Sequence, residues 1–136
     1  MHSCVVDSSV WIDFFNKKTS PEIEQLISIY PTSIAEGRIV ILPVIVQEVL
    51  QGIQDNRLYN LVKESLFGFK QIDYDNFRLA VEASDLFRYL RKKGVTIRKA
   101  NDCLIASICI ENNFQLLHND KDFNNIAKHT SLKIYK

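Results

Sequence analysis

The sequence predicts an α/β domain in which helices cover both faces of a central, mainly parallel sheet of four to five strands. Three observations carry that expectation. Short apolar, β-branched runs recur at residues 4–6, 39–42, 69–72, 114–117 and 132–135, the length and composition of buried strands. Stretches with helical spacing separate them, and such alternation builds a parallel sheet through right-handed crossovers, giving three α/β/α layers. Finally, 136 residues with 46% hydrophobic and 24% charged composition suit one ordinary domain with a real core, so residues 1–136 are read as a single unit.

The first run, Cys4-Val5-Val6, stops at Asp7, and residues 10–15 behind it have helical spacing. This reads as a buried strand that delivers Asp7 to the carboxyl edge of the sheet, where open α/β proteins place ligand sites. Asp7-Ser8-Ser9 also offers N-cap chemistry, and a plain cap is the competing reading. Thr19-Ser20-Pro21-Glu22 is a helix start, a cap followed by proline in the first turn. Ile23, Leu26, Ile27 and Tyr30 follow at helical spacing, but Pro31 is able to end or bend that helix, so the pattern does not specify one continuous element up to Ala35. Gly37 punctuates it before the second strand.

Pro43 opens a helix with Val46, Val49, Leu50 and Ile53 on one side and Glu48 about a turn and a half in. Asp55-Asn56 marks a break and a new N-terminus for residues 58–66, Gly68 ends that segment, and the strand at 69–72 is the weaker third. Residues 73–93 form the longest helix, with Leu79, Ala83, Leu86 and Leu90 as its apolar stripe, Arg78, Glu82, Asp85 and Lys92 opposite, and Gly94 as its stop. Asp102 then heads a helix that is apolar nearly all round over residues 103–110, which requires burial on most sides. The strand at 114–117 closes on His118-Asn119-Asp120-Lys121-Asp122-Phe123, a short helical turn follows, and residues 132–135 make a last, edge strand.

A net charge of +1 excludes a bulk polyanion binder, so any nucleic acid must be held by local patches and metal ions. Three cysteines argue against a disulfide framework and read as small buried apolar residues of a reducing compartment. The first residues lack a charged and then apolar leader pattern, and no run approaches membrane-spanning length. The expectation is a cytoplasmic protein without a membrane partner.

The chemistry lies in the carboxylates. Asp7 and Asp120 end strands, while Glu48 and Asp102 sit in early turns of helices that pack beside those ends, and in a parallel sheet all such positions face one edge. Four uncompensated carboxylates there would repel one another and take up protons. A hard divalent cation removes the conflict, and oxygen-only ligation suits Mg²⁺ or Mn²⁺ rather than zinc. Helix N-terminal amides near Asp102 are expected to favour its ionised form. Such a cation polarises a phosphodiester oxygen and lowers the pKa of a water, so no catalytic histidine or serine is needed. The Ser9 hydroxyl is placed to meet that water or a phosphate. Each residue also has a bland reading: Glu48 as a solvated helix residue, Asp120 and still more Asp122 as turn caps. Asp102, at the head of a buried helix, is the hardest to dismiss.

Four segments then carry a resemblance. V-V-D-S-S-V-W-I at residues 5–12, Q-E-V-L-Q-G at 47–52, N-D-C-L-I-A at 101–106 and L-L-H-N-D-K-D-F at 116–123 resemble the four acidic motifs of PIN domains, in an order and spacing similar to the VapC-type toxins of prokaryotic toxin–antitoxin pairs. The resemblance spans almost the whole chain and is specific as a set. It implies a three-layer PIN-like fold and a Mg²⁺- or Mn²⁺-dependent endoribonuclease, with Asp7, Glu48, Asp102 and Asp120 holding the metal and Ser9 and Asp122 in support. It also implies RNA as substrate (tRNA or another structured RNA), homodimerisation, and neutralisation by a VapB-like antitoxin whose tail enters the active-site groove. One departure is visible: His118 stands where the family commonly has threonine, and packing is its expected role.

Arg88, Arg91, Lys92, Lys93, Arg98 and Lys99 form the one basic concentration. It leads into Asp102, so Arg98 and Lys99 are candidate guides for an RNA backbone, against the plain reading of a solvated helix end. Trp11, Phe14 and Phe15 could stack on bases, but aromatics at helical spacing are expected in the core or a dimer interface. Three rivals stand beside the nuclease. A phosphoryl-transfer receiver or phosphohydrolase would want a carboxylate beside Asp7 where Ser8 stands. A metal-dependent adhesion module would match Asp7 and Ser9 but is broken by Trp11. A catalytically silent PIN-like module that binds RNA or protein is the third.

Overall fold

The computed structural model describes residues 3–136, apart from the side chains of Ile34 and Ala35. Strands and helices alternate as the apolar periodicity requires. The first strand, β1 (Cys4–Val6), leads into α1 (Ser8–Phe15) and α2 (Pro21–Glu36), and β2 (Ile39–Ile41) leads into α3 (Pro43–Gln51) and α4 (Asn56–Phe67). Next, β3 (Lys70–Gln71) leads into α5 (Asn76–Lys92) and α6 (Ala100–Asn112), β4 (Gln115–Leu117) into α7 (Lys121–His129), and β5 (Lys133–Ile134) ends the series. The five strands form one sheet in the order β3-β2-β1-β4-β5, and every neighbouring pair is parallel. Four to five mainly parallel strands were expected, and five wholly parallel ones are found among the described residues.

The strand order places the site. The chain steps outward from β1 through β2 to β3, then crosses back to lay β4 on the other side of β1. With right-handed crossovers this puts α1–α4 on one face and α5–α7 on the other. The packing agrees: α1 meets α2 and α3, α3 meets α4, and α6 meets α5 and α7. Helices on both faces bury successive residues of a strand alike, so Cys4, Val5 and Val6 are all fully buried. The order reverses between β1 and β4, and the crevice beyond the carboxyl ends of those two strands is the place for a ligand. At the rims, both residues of β3 are exposed, which explains its weak signal.

Pro31 neither ends nor breaks α2. The bond it forfeits belongs to the carbonyl of Ile27, and both residues lie on the exposed side of the helix, where solvent replaces a missing donor. The hydroxyls of Thr32 and Ser33 also donate to the Ile29 carbonyl, at 3.2 and 2.5 Å. Gly37 then caps the helix at φ +65°, a left-handed conformation that glycine adopts without strain.

The most buried helix is α6, whose Asp102, Cys103, Ile105, Ala106, Ser107, Ile108 and Cys109 are all buried, as its all-round apolar pattern requires. Cys4, Cys103 and Cys109 are free and buried. Burial pushes the thiols of Cys4, Cys103 and Cys109 up, the first to about 12 and the second to about 11, so the reactive thiolate is disfavoured at each. Trp11 is fully buried, with its ring 5.9 Å from Phe15 and 5.3 Å from Phe69, and is therefore core rather than a stacking platform. Among the described residues no helix is long and apolar enough to cross a membrane.

Candidate active site

Asp7 leaves β1 as the N-cap of α1. Its Oδ2 accepts hydrogen bonds from the Ser9 amide at 3.2 Å and the Ser9 hydroxyl at 2.7 Å. Its own amide donates to the Leu117 carbonyl at the end of β4, at 2.9 Å, which pins the residue between the two central strands. Cap and edge carboxylate are thus the same residue. The Ser9 hydroxyl oxygen in turn accepts from the Asn119 amide at 3.3 Å, so one serine ties the end of β1 to the loop after β4.

Around Asp7 stand the other acids. Glu48, in the second turn of α3, has a buried Oε1 with no hydrogen-bond partner. Burial raises its pKa, the charge of Asp7 adds to the rise, and Ser8, Asn101 and Lys99 oppose it. Asp102, in the first turn of α6, is only 2% exposed, and its Oδ2 is likewise buried without a partner. Burial pushes Asp102 up to about 7, with Lys99 opposing and Asp7, Asp120 and Glu48 adding to the rise. The helix N-terminal amides favour the charged form, but desolvation outweighs them here.

Asp120 behaves in the opposite way. As N-cap of α7 its Oδ1 accepts from the Asp122 amide at 3.0 Å. Lys99 Nζ lies 3.2 Å from its Oδ2 and Arg98 Nη2 lies 3.4 Å from its Oδ1. Burial alone would raise its pKa, but the Asp122 amide, Lys99 and Arg98 outweigh it, and the pKa is lowered. Asp122, 3% exposed, receives a hydrogen bond from Arg98 Nε at 3.1 Å.

One carboxylate oxygen each of Asp102, Asp120 and Asp122 lie within 4.8 Å of one another, the group among the described residues able to hold a metal ion. Three oxygen donors, with a fourth and fifth carboxylate close by, suit a hard divalent cation. The unpartnered oxygens of Glu48 and Asp102 and the pKa near 7 of Asp102 are the features of a cluster short of positive charge, so the residues fit such an ion. Asp7 and Glu48 stand outside the tightest group but close enough to raise Asp102. Asp122, expected in support, is inside it.

The basic run divides. Arg98 and Lys99 turn onto Asp120 and Asp122 rather than standing free. Arg91 and Lys93 lie over the rings of Phe87 and Tyr89. His118 is buried with its ring 5.2 Å from Phe123, its Nδ1 accepts from the Asp120 amide at 3.0 Å, and burial lowers its pKa. Sequence reasoning passed over Asn101, Ser8 and Asn119, whose sole signal is their place beside the acidic residues.

The PIN domain family model matches residues 4–129. The chain is 29% identical over 132 residues to Ribonuclease VapC11 of Mycobacterium tuberculosis, covering 95% of each. It is 30% identical over 134 residues to Ribonuclease VapC1 of Methanocaldococcus jannaschii, covering 96% of this chain and 85% of the relative. Its fold is that of a chain in the crystal structure of DNA-bound VapBC from Salmonella typhimurium, with a TM-score of 0.75 at 18% identity over 99% of this chain and 98% of the other. With the parallel sheet and the acidic crevice at its switch point, these likenesses make this chain a member of the PIN domain family.

Proposed function

We propose that this protein is a divalent-metal-dependent endoribonuclease that hydrolyses RNA phosphodiester bonds and acts as the toxin of a toxin–antitoxin pair. The observation that carries the reading is the set of buried and half-buried carboxylates at the carboxyl edge of the sheet, with one oxygen of Asp102 and one of Glu48 buried without a hydrogen-bond partner. The ribonuclease relatives support the choice of RNA. Asp7, Glu48, Asp102 and Asp120, with Asp122, would hold the ion, with Mg²⁺ preferred and Mn²⁺ as its substitute, since small hard cations take such ligands. When bound it would polarise a phosphodiester oxygen and lower the pKa of the attacking water.

The protein's own groups do the remaining work. Ser9 fixes the rotamer of Asp7 through its hydroxyl and amide. Asp102, which burial pushes up to about 7 without an ion, would give up its proton on taking the cation. Arg98 and Lys99 are more than half exposed, so they anchor Asp120 and Asp122 with one end and offer charge to an RNA phosphate with the other. His118, with Nδ1 occupied and the ring against Phe123, orders the loop that carries Asp120.

A homodimer and a VapB-like antitoxin complete the proposal. Exposed Phe77, Phe67 and Leu61 are apolar surface suited to partners, and a VapBC complex is among the fold relatives. A cytoplasmic location suits the three free thiols. Cleavage of labelled structured RNA in Mg²⁺ or Mn²⁺, beside Asp7→Asn, tests the activity. Cleavage by the wild type alone, abolished by EDTA, is expected. Equal cleavage by both proteins means contamination and defeats the site. Absent cleavage together with no Mn²⁺ binding by the wild type leaves a silent binding module. A monomeric mass by light scattering at micromolar concentration would overturn the dimer.

A further inference from the structure

We infer that the ammonium of Lys99 is a built-in rival of the divalent ion, an inference that rests on the metal-dependent reading. Lys99 and the ion balance the same carboxylates and exchange with one another. Taking up the ion turns Lys99 out towards solvent, while Arg98 stays on Asp122.

Lys99 occupies a position that helix chemistry disfavours. It is the N-cap of α6, with extended backbone at φ −116° and ψ 118° and no side-chain cap hydrogen bond. Helix N-termini favour Ser, Thr, Asp or Asn and negative charge, and a cation there meets the positive end of the dipole. The N-caps of α1, α2, α4, α5 and α7 obey that rule, for Asp7, Ser20, Asp55, Asp75 and Asp120 each accept a hydrogen bond from a backbone amide. Helix stability therefore does not account for the lysine, and the carboxylates in front of it do. Asp102 is the third residue of the same helix, on the face its N-cap shares.

Geometry separates Lys99 from Arg98. Lys99 Nζ lies 3.2 Å from Asp120 Oδ2, and its charge also acts on Asp7, Asp102 and Glu48. Arg98 contacts only the outer pair, with Nε 3.1 Å from Asp122 Oδ2 and Nη2 3.4 Å from Asp120 Oδ1. One oxygen each of Asp102, Asp120 and Asp122 lie within 4.8 Å of one another, so a divalent ion shared by the three meets the Lys99 ammonium at Asp120. Two cations held at one carboxylate repel steeply over such distances. The one on the flexible stem yields. Lys99 is a compact point charge on four methylenes and more than half exposed, whereas two carboxylates fix the planar fork of Arg98. The plain alternative is a half-exposed ion pair that affects nothing beyond Asp120.

The test measures Mn²⁺ binding to the full chain at pH 8 by electron paramagnetic resonance, for wild type, Lys99→Met, Lys99→Arg and Arg98→Met. Lys99→Met should bind about tenfold more tightly than wild type, Lys99→Arg no more tightly, and Arg98→Met should differ by less than about threefold. The second readout is the reactivity of each lysine amine of the wild type towards an acetylating reagent, followed by mass spectrometry in EDTA and in saturating Mn²⁺. The ion should speed acetylation of Lys99 about threefold, the effect of breaking one half-exposed ion pair, and leave Lys63 and Lys133 unchanged. Unchanged or weaker binding by Lys99→Met, an equal gain in Arg98→Met, or Lys99 acetylation indifferent to Mn²⁺ would overturn the exchange. Neither readout needs cleavage. Mn²⁺ binding to neither wild type nor Lys99→Met overturns the metal site and the exchange together, and equal binding to both overturns the exchange alone.

Discussion

Asp102 and Asp120 belong to one carboxylate group, yet burial drives the first up to about 7 while neighbours hold the second below its usual value. The difference is one of company. Asp120 has an amide, a lysine and an arginine at hydrogen-bond or ion-pair distance, whereas one oxygen of Asp102 meets nothing. Both sit at a helix N-terminus, so a shared dipole does not decide a carboxylate's charge when desolvation and close cations differ. The centre is thus neutralised on its Asp120–Asp122 side and short of positive charge on its Asp102–Glu48 side, which is where a cation gains most.

Removing each charge sharpens that contrast, and the largest effect is on stability without metal. A rise from 3.8 to about 7 for Asp102 corresponds to on the order of 4 kcal/mol. The folded state binds this proton more tightly than the unfolded chain does. The contribution of Asp102 is therefore full below pH 4, falls as the pH rises toward 7, and is gone above it. Asp102→Asn should be more stable than wild type at pH 8 in EDTA, by on the order of 2 kcal/mol because the buried amide brings its own unmet donors. Asp120→Asn should instead lose no more than about 1 kcal/mol at that pH, since its ion pairs are half exposed and asparagine caps a helix as well as aspartate does. For Asp120 itself the contribution is present above its unfolded value and lost as the pH falls through its lowered pKa. Urea unfolding of the three proteins decides it, and a destabilised Asp102→Asn would break the comparison.

A second effect concerns the internal counterions. With Arg98 and Lys99 both replaced by alanine, Mn²⁺ should bind about tenfold more tightly, because two nearby positive charges no longer oppose it. The RNA salt dependence should flatten by about 1.4 in the slope of log K against log salt, for two lost single-strand phosphate contacts. Manganese titration by electron paramagnetic resonance reads the first, and RNA binding across a salt series reads the second. An unchanged slope rejects the guide role of both residues.

Calorimetry near pH 6 in buffers of different ionisation heat should show Mn²⁺ binding coupled to release of about one proton, that of Asp102; Asp102→Asn should show none. The smallest expected effect is that of Ser9→Ala, which takes one hydroxyl from Asp7 and the link from Asn119 and should cost about 1 kcal/mol by thermal unfolding.

Much of this molecule is legible in its sequence. Runs such as 4–6 and 39–42 announce buried strands, the all-round apolar 103–110 announces the most buried helix, and the alternation announces a parallel sheet. Placing Asp7, Glu48, Asp102 and Asp120 at one edge needs that topology and no further detail. Pro31 shows the limit, because whether a proline ends a helix depends on whether solvent reaches the carbonyl it orphans, and that is a property of the packed surface.

By itself the sequence determined which faces are buried and which edge gathers the acids, since strand and helix periods translate hydrophobic spacing into facing and parallel topology aligns strand ends. Only the tertiary structure decided the charges at that edge. It drew Asp122 into the metal-capable group, turned Arg98 onto a partner 24 residues away and buried one oxygen of Asp102 without a partner. Those outcomes depend on ångström-scale distances between segments remote in the chain, and electrostatic and hydrogen-bond energies vary steeply over such distances while a periodic pattern of residue types does not.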